Sequence, residues 1–282
     1  MNTQRILSTS LIASLLASGV WAQQSTSPKA ATATTLKANQ AVAESLAFND
    51  KVDFDEASRG LIASLSKPLV QTAEGKLVWD TERFNFIKGN APGTVNPSLW
   101  RQEKLNNVAG LFKVTEGIYQ VRGYDLANMT LVEGKTGWIV IDTLLTAEIA
   151  KATLAFAMEK LNSKKPVVAV IYTHSHADHY GGVRGVVSEA DVLAGKVKVI
   201  APEGFMDNAV AENVLAGNAM TRRATYQFGN GLDANEKQAI GSGLGKALSA
   251  GTMGLIPPTD TVSKTGQEMT VDGVRIVFQM AQ

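Results

Sequence analysis

Cysteine is absent from the 282 residues. That excludes disulfides and thiolate ligands, so any metal this protein holds must rest on imidazole and oxygen donors. Histidine is scarce, with three copies, and aromatic residues make up only 6% of the chain. Net charge is scarce as well: 27 Lys and Arg stand against 26 Asp and Glu. Such a balance gives no nucleic-acid footprint and no strongly basic membrane-binding surface. Long hydrophobic runs are missing too. The N-terminal stretch "ILSTSLIASLLASGV" is interrupted by Ser and Thr and falls short of the roughly 20 apolar residues of a stable membrane anchor. Preceded by Arg5 and followed by the small-residue pattern at Val20-Trp21-Ala22, it reads as a signal peptide over residues 1–22. Cleavage after Ala22 would deliver a formally neutral chain to the periplasm or the medium.

What is present suffices for one large domain, since 45% of the residues are hydrophobic. Residues 23–105 read as a leader and an N-terminal arm. The leader is rich in Ser, Thr, Ala and Gln. The arm has helical patterns in "NQAVAESLAF" and "DFDEASRGLIASL" and turns in "KGNAPGTVNPSLWRQ". Its aromatics Phe48, Phe54, Trp79, Phe84, Phe86 and Trp100 need cover, either from their own chain or from a second subunit. From residue 106 to 282 the pattern becomes that of an α/β layered domain. Short alternating strands, "GLFKVT", "GIYQVRG", "NMTLVEG" and "GWIVIDT", precede the helix "AEIAKATLAFAMEKL" and the doubly buried strand "PVVAVIYT". A helix over residues 182–191, a strand in "KVKVIAP", further helix to Phe228, a glycine-rich loop and a hairpin around Asp272-Gly273 complete the reading.

All three histidines fall in "VIYTHSHADHYGGV", as His174, His176 and His179, with Asp178 beside the last. The cluster follows a buried strand, where open α/β sheets place ligands. In an extended loop His174 and His176 share a side, while the neighbours Asp178 and His179 point apart. One loop thus offers donors to two metal positions, His174 with His176 and Asp178 with His179. Imidazole and carboxylate are ordinary zinc ligands, and zinc lowers the pKa of its bound water to about 7. The alternatives are chance clustering or a single closed metal site.

"THSHADH" resembles the HxHxDH signature of the metallo-β-lactamase superfamily. With "VNPSLWRQ", "GLFKVTEGIYQVRGYDLANMTLVEGKTGWIVIDTL", "VIYTHSHADHYGGVRGV" and "ENVLAGNAMTRRA", the chain is similar to the N-terminal half of bacterial alkyl sulfatases of the SDS-hydrolase type. The resemblance implies an αββα sandwich carrying the N-terminal arm, with two zinc ions. It implies hydrolysis of alkyl sulfates to alcohol and inorganic sulfate, export, and a homodimer for the longer relatives. It assigns His174 and His176 to one zinc and Asp178 and His179 to the other. It further implies two glutamates and a histidine as ligands from downstream segments, and no histidine follows His179. The expectation is therefore a truncated domain, incomplete at its C-terminus, with impaired activity. Other hydrolyses on the same fold, of an ester, thioester or phosphodiester, stay open, as does a non-catalytic metal-binding remnant.

Several residues have two readings. Arg222 and Arg223 either pair with a sulfate or form a solvated helix face, and Asn213 and Tyr226 either donate to the same group or cap buried polar atoms. Asp142 either braces a ligating histidine or caps the next helix. Glu203, Glu212, Asp233 and Glu268 are downstream carboxylates that spacing does not distinguish.

Overall fold

The computed structural model describes residues 28–65 and 69–281. The expected signal peptide lies outside the described residues. Two helices, α1 (Ala33–Ser45) and α2 (Val52–Ser58), lead into β1 (Leu61–Ser64), β2 (Leu69–Gln71), β3 (Leu77–Asp80) and α3 (Pro97–Asn106). The central run is β4 (Gly110–Thr115), β5 (Ile118–Arg122), β6 (Met129–Glu133), β7 (Trp138–Ile141), α4 (Ala147–Lys160) and β8 (Val167–Ile171). There follow α5 (Ala177–Tyr180), α6 (Glu189–Leu193), β9 (Lys198–Pro202), α7 (Phe205–Val210), α8 (Gly217–Phe228), β10 (Asp260–Val262), β11 (Glu268–Val271) and β12 (Val274–Val277).

Eight strands form one mixed sheet in the order β1-β4-β5-β6-β7-β8-β9-β10. Pairing is antiparallel from β1 to β7 and parallel from β7 to β10. Side-chain alternation divides the core. Val140, Val170 and Val199 face Ile149, Phe156 and Ala157 of α4 in the larger core. Ile139, Ala169, Ile171 and Ile200 face the opposite way, onto Val271, Val274 and Ile276 of the β11–β12 hairpin. Both faces of β7 and β8 are therefore covered, which is why their sequences read as unbroken apolar runs. Helix α4 buries Ile149, Ala150, Thr153, Phe156 and Ala157, the spacing of one helical stripe. The second strand layer of the expected sandwich is represented among the described residues by the β11–β12 hairpin.

Three local expectations change. The helix read over "DFDEASRGLIASL" ends at Ser58, and Leu61–Ser64 is a strand. Gly60 sits between them at φ 77°, where a Cβ would stand 2.2 Å from the Lys113 carbonyl oxygen. The helix read over residues 182–191 is a 3₁₀ turn at Val183–Gly185 followed by α6, which Ser188 caps by accepting from the Asp191 amide. The arm also forms the β2–β3 pair. Its Trp79, Phe84 and Trp100 are buried, so this chain covers them itself. Asn96 accepts from the Ser98 amide and Pro97 opens α3, a combination that fixes a helix start. Among the described residues no helix is long and apolar enough to cross a membrane.

Candidate metal centre

Because β7 and β8 run parallel in the register Ile141↔Ile171, the residues that follow them emerge side by side at one sheet edge. Asp142 leaves β7 at φ 59°, a left-handed conformation that Asp tolerates. Its side chain is nearly buried, at 7% residue exposure. Oδ1 accepts from the Thr173 amide at 2.8 Å, and Oδ2 accepts from the Thr173 hydroxyl at 2.8 Å and from His179 Nδ1 at 2.7 Å. Asp142 is thus the brace of a histidine. The residue preceding α4 is Thr146, so capping is not its role.

The Thr173 hydroxyl has one proton and donates it to Asp142, so toward His174 Nδ1, 2.9 Å away, it acts as acceptor. His174 therefore carries its proton on Nδ1. His174 and His179 both turn Nδ1 inward and leave Nε2 outward. Their ring centroids are 4.1 Å apart, and His174 meets His176 at 4.7 Å. Asp178 and His179 do not point apart as an extended loop requires. They lie on the single helical turn α5, and Asp178 Oδ2 comes within 3.4 Å of His179 Nε2. Burial works against the charged His179 ring, but Asp142 and Asp178 outweigh it and its pKa is pushed up to about 9. Burial, together with the neighbouring rings His179 and His176, lowers His174. Burial opposes the Asp178 carboxylate, yet His179 holds its pKa below the usual range.

The loop is fastened from below. Thr143 N donates to the His179 carbonyl at 2.8 Å, and Gly182 N to that of Leu144 at 2.9 Å. A Cβ at Gly182 would stand 2.1 Å from the Thr143 oxygen, and one at Gly181 2.2 Å from the Leu145 oxygen. Both glycines have negative φ, so they are needed for close approach and not for a left-handed turn. Asp125, which the sequence reading passed over, is buried beneath this loop. It accepts from the amides of Leu126, Leu145 and Ser249 and from the Ser249 hydroxyl.

A π-helical turn, Ala211–Leu215, joins α7 to α8. It brings Glu212 Oε1 to 3.3 Å from His176 Nε2, and Asn213 Nδ2 to the carbonyls of Ser175 (3.3 Å) and Ala209 (3.0 Å). Arg222, Arg223 and Tyr226 lie on the exposed α8. Among the described residues, no hydrogen bond or ion pair ties them to the histidines. Glu203 lines a cavity of about 650 Å³, bounded by His174 and Ser175 on one side and by Ile276, Phe278 and Met280 on the other. Glu268 pairs with Arg275 on the hairpin, and the Asp233 carbonyl accepts from the Ala239 amide.

Residues 122–273 match the family model of the metallo-beta-lactamase superfamily. The chain belongs to this superfamily. Within it, the chain is 54% identical over 274 residues to a linear primary-alkylsulfatase of Pseudomonas sp., covering 96% of this chain and 40% of the relative. An alkyl/aryl-sulfatase of Saccharomyces cerevisiae is 52% identical over 248 residues, with 88% of this chain and 38% of the relative covered. The solved structure of a stereoselective inverting sec-alkylsulfatase from Pseudomonas sp. superposes with a TM-score of 0.85 at 49% identity, over 89% of this chain and 40% of that one. The chain therefore spans about 40% of the length of the curated relatives it matches.

Superfamily membership implies a metal, and the donor set fits one in kind. Three imidazoles and a carboxylate converge within six residues, and two of the rings are already oriented by hydrogen bonds on Nδ1, as metal-ligating histidines are. Among the described residues, no three His, Asp or Glu side chains stand together in a closed metal-holding geometry.

Proposed function

We propose that the protein is a zinc-dependent hydrolase of alkyl sulfate esters. His174 and His176 would hold one ion and Asp178 and His179 the other. The observation that carries this reading is the pairing of the HxHxDH cluster with its inner bonds, Thr173 to His174 and Asp142 to His179. These bonds fix which nitrogen each ring offers. Zinc bound there supplies Lewis acidity and makes hydroxide available near neutral pH.

The chain's own part is orientation. Asp142 holds the Nδ1 proton of His179 and the Thr173 hydroxyl, and that hydroxyl holds the Nδ1 proton of His174. Each ring is thereby set to ligate through Nε2, and His179, whose pKa is raised, would give up its Nε2 proton on binding a metal. The bond broken is argued from the sec-alkylsulfatase relative, whose description as inverting supports attack at carbon in this protein too. Inversion at a carbon centre requires that its own C–O bond breaks. Sulfate then departs as a weak base and requires no proton donor.

The test is sulfate release from primary and secondary alkyl sulfates by the protein purified from its natural source, run in oxygen-18 water with and without zinc. Zinc-dependent release with the label in the alcohol supports the reading. Label in the sulfate overturns attack at carbon, and hydrolysis confined to thioesters, lactones or phosphodiesters overturns the substrate class. Export is part of the same reading: N-terminal sequencing of that protein is expected to begin at Gln23.

A further inference from the structure

His174 and His179 each have an identified partner on Nδ1. His176 is the ring left over, and its side chain is the most exposed of the three at 58%. Apart from edge-to-face contact with His174, its polar neighbour is Glu212, and the approach is to the other nitrogen, Nε2. Glu212 stands on a π-helical turn, the kind of one-residue irregularity that re-aims side chains and recurs at functional sites. The next residue, Asn213, ties the same turn to the carbonyl of Ser175, directly before His176. Two neighbouring side chains of this turn thus reach the loop, Asn213 at the Ser175 carbonyl and Glu212 at the His176 ring.

Resting on the metal reading above, we propose that Glu212 is a positioning residue for His176. Its carboxylate holds the ring by Nε2–H, so that His176 offers Nδ1 to a metal while His174 and His179 offer Nε2. The exposed ring needs such a partner because the loop alone leaves it free to rotate and to exchange tautomers. A ligating histidine usually gives its second N–H to a carboxylate or carbonyl, and loss of that partner typically costs about 10- to 100-fold in metal affinity. Asp142 does this for the ring nearest the sheet. Glu212 does it for His176 from the π-helical turn between α7 and α8.

With three histidines in the chain, ¹⁵N-histidine labelling reports on this site alone. In the metal-free protein the His176 ring is expected with Nε2 protonated and Nδ1 bare. Glu212→Ala is expected to move both nitrogen shifts toward the average of exchanging tautomers and to weaken zinc, by chelator competition, about 10- to 100-fold. Glu212→Gln keeps an acceptor oxygen and should restore most of both. A wild-type His176 protonated on Nδ1 overturns the assignment without any variant. So does a Glu212→Ala protein with unchanged shifts and zinc affinity within about twofold of wild type. Wild-type protein that binds no zinc overturns the metal reading instead, while the metal-free spectra still decide the role of Glu212.

Discussion

Replacing Asp142 separates the two things it does. In Asp142→Ala the Thr173 amide, the Thr173 hydroxyl and the His179 ring lose an acceptor, each bond worth about 1 kcal/mol net. Alanine at φ 59° adds about 1 kcal/mol. Relief from burying a carboxylate offsets part of this, so the expected loss is about 3 kcal/mol, a large share of a typical margin of about 5–15 kcal/mol. Asp142→Asn is the sharper probe. Asparagine tolerates the left-handed backbone, and its oxygen can keep the Thr173 amide, which places the NH₂ where Oδ2 was. Facing an NH₂, His179 must give up its Nδ1 proton and accept there, which leaves its remaining proton on Nε2, the nitrogen proposed for zinc. The Asn variant is therefore expected to lose only about 1–2 kcal/mol of stability but about 10- to 100-fold in zinc affinity. Urea unfolding measures the first, chelator competition the second, and ¹⁵N-histidine spectra the tautomer. An Asn variant with wild-type affinity and an unshifted His179 ring would refute this account of the brace.

Gly182→Ala forces a Cβ to 2.1 Å from the Thr143 oxygen and 2.7 Å from Ala150 Cβ. A cost of about 3 kcal/mol or more is expected in urea unfolding, with Gly217→Ala, which meets nothing within 4 Å, as the neutral control. Asp125→Ala strands the amides of Leu126, Leu145 and Ser249 and should cost about 3–5 kcal/mol; a loss under about 1 kcal/mol contradicts the clamp. Asp272, at φ 46° in the hairpin turn, accepts from the Thr136 amide and hydroxyl and the Gly137 amide. Partial desolvation opposes its charge, but these bonds and Lys165 outweigh it and lower its pKa. Its contribution is therefore present above the unfolded carboxylate pKa and lost as pH falls through the folded one. Hydrogen-exchange protection of the Thr136 and Gly137 amides is expected to fall on acidification below about pH 4, and Asp272→Asn should abolish that dependence.

The parts of this molecule legible in its sequence are those whose cause is local. Strands β4 to β8 announce themselves by alternation or by unbroken apolar runs. The hairpin is legible because Asp272 and Gly273 both need positive φ, at 46° and 82°, as a two-residue hairpin loop demands. The donors of the candidate site are legible because all four fall within six residues. Strands β2 and β10, three residues each, carry too little pattern and exist through their neighbours. β1 is hidden because "LIAS" continues a helical pattern until Gly60 breaks it against the Lys113 carbonyl. The long-range partners are legible only in part: Asp142 can be read as a histidine brace but not which ring it holds, and Asp125 cannot be read at all. Asp142 and His179 are 37 residues apart, and Asp125 and Ser249 are 124 apart. No periodicity connects such pairs; only the folded sheet does.

That dependence on the sheet can be traced to a single register. Asp142 reaches Thr173 and His179 because Ile141 stands opposite Ile171 in the parallel β7–β8 pair. Slip this pairing by one residue and the alternation inverts, sending Ile139 and Ile141 toward α4 and Val140 toward the hairpin. The same slip sets Thr143, which is uncharged and has one side-chain oxygen in place of two, where the carboxylate belongs. Two apolar cores, one on each side of β7 and β8, resist the slip, each strand side chain contributing about 1.5–3 kcal/mol when fully buried. The nitrogen that His179 offers is thus decided by the packing of isoleucines and valines that touch no ligand. Polar partners set the tautomer, and the hydrophobic core sets the polar partners.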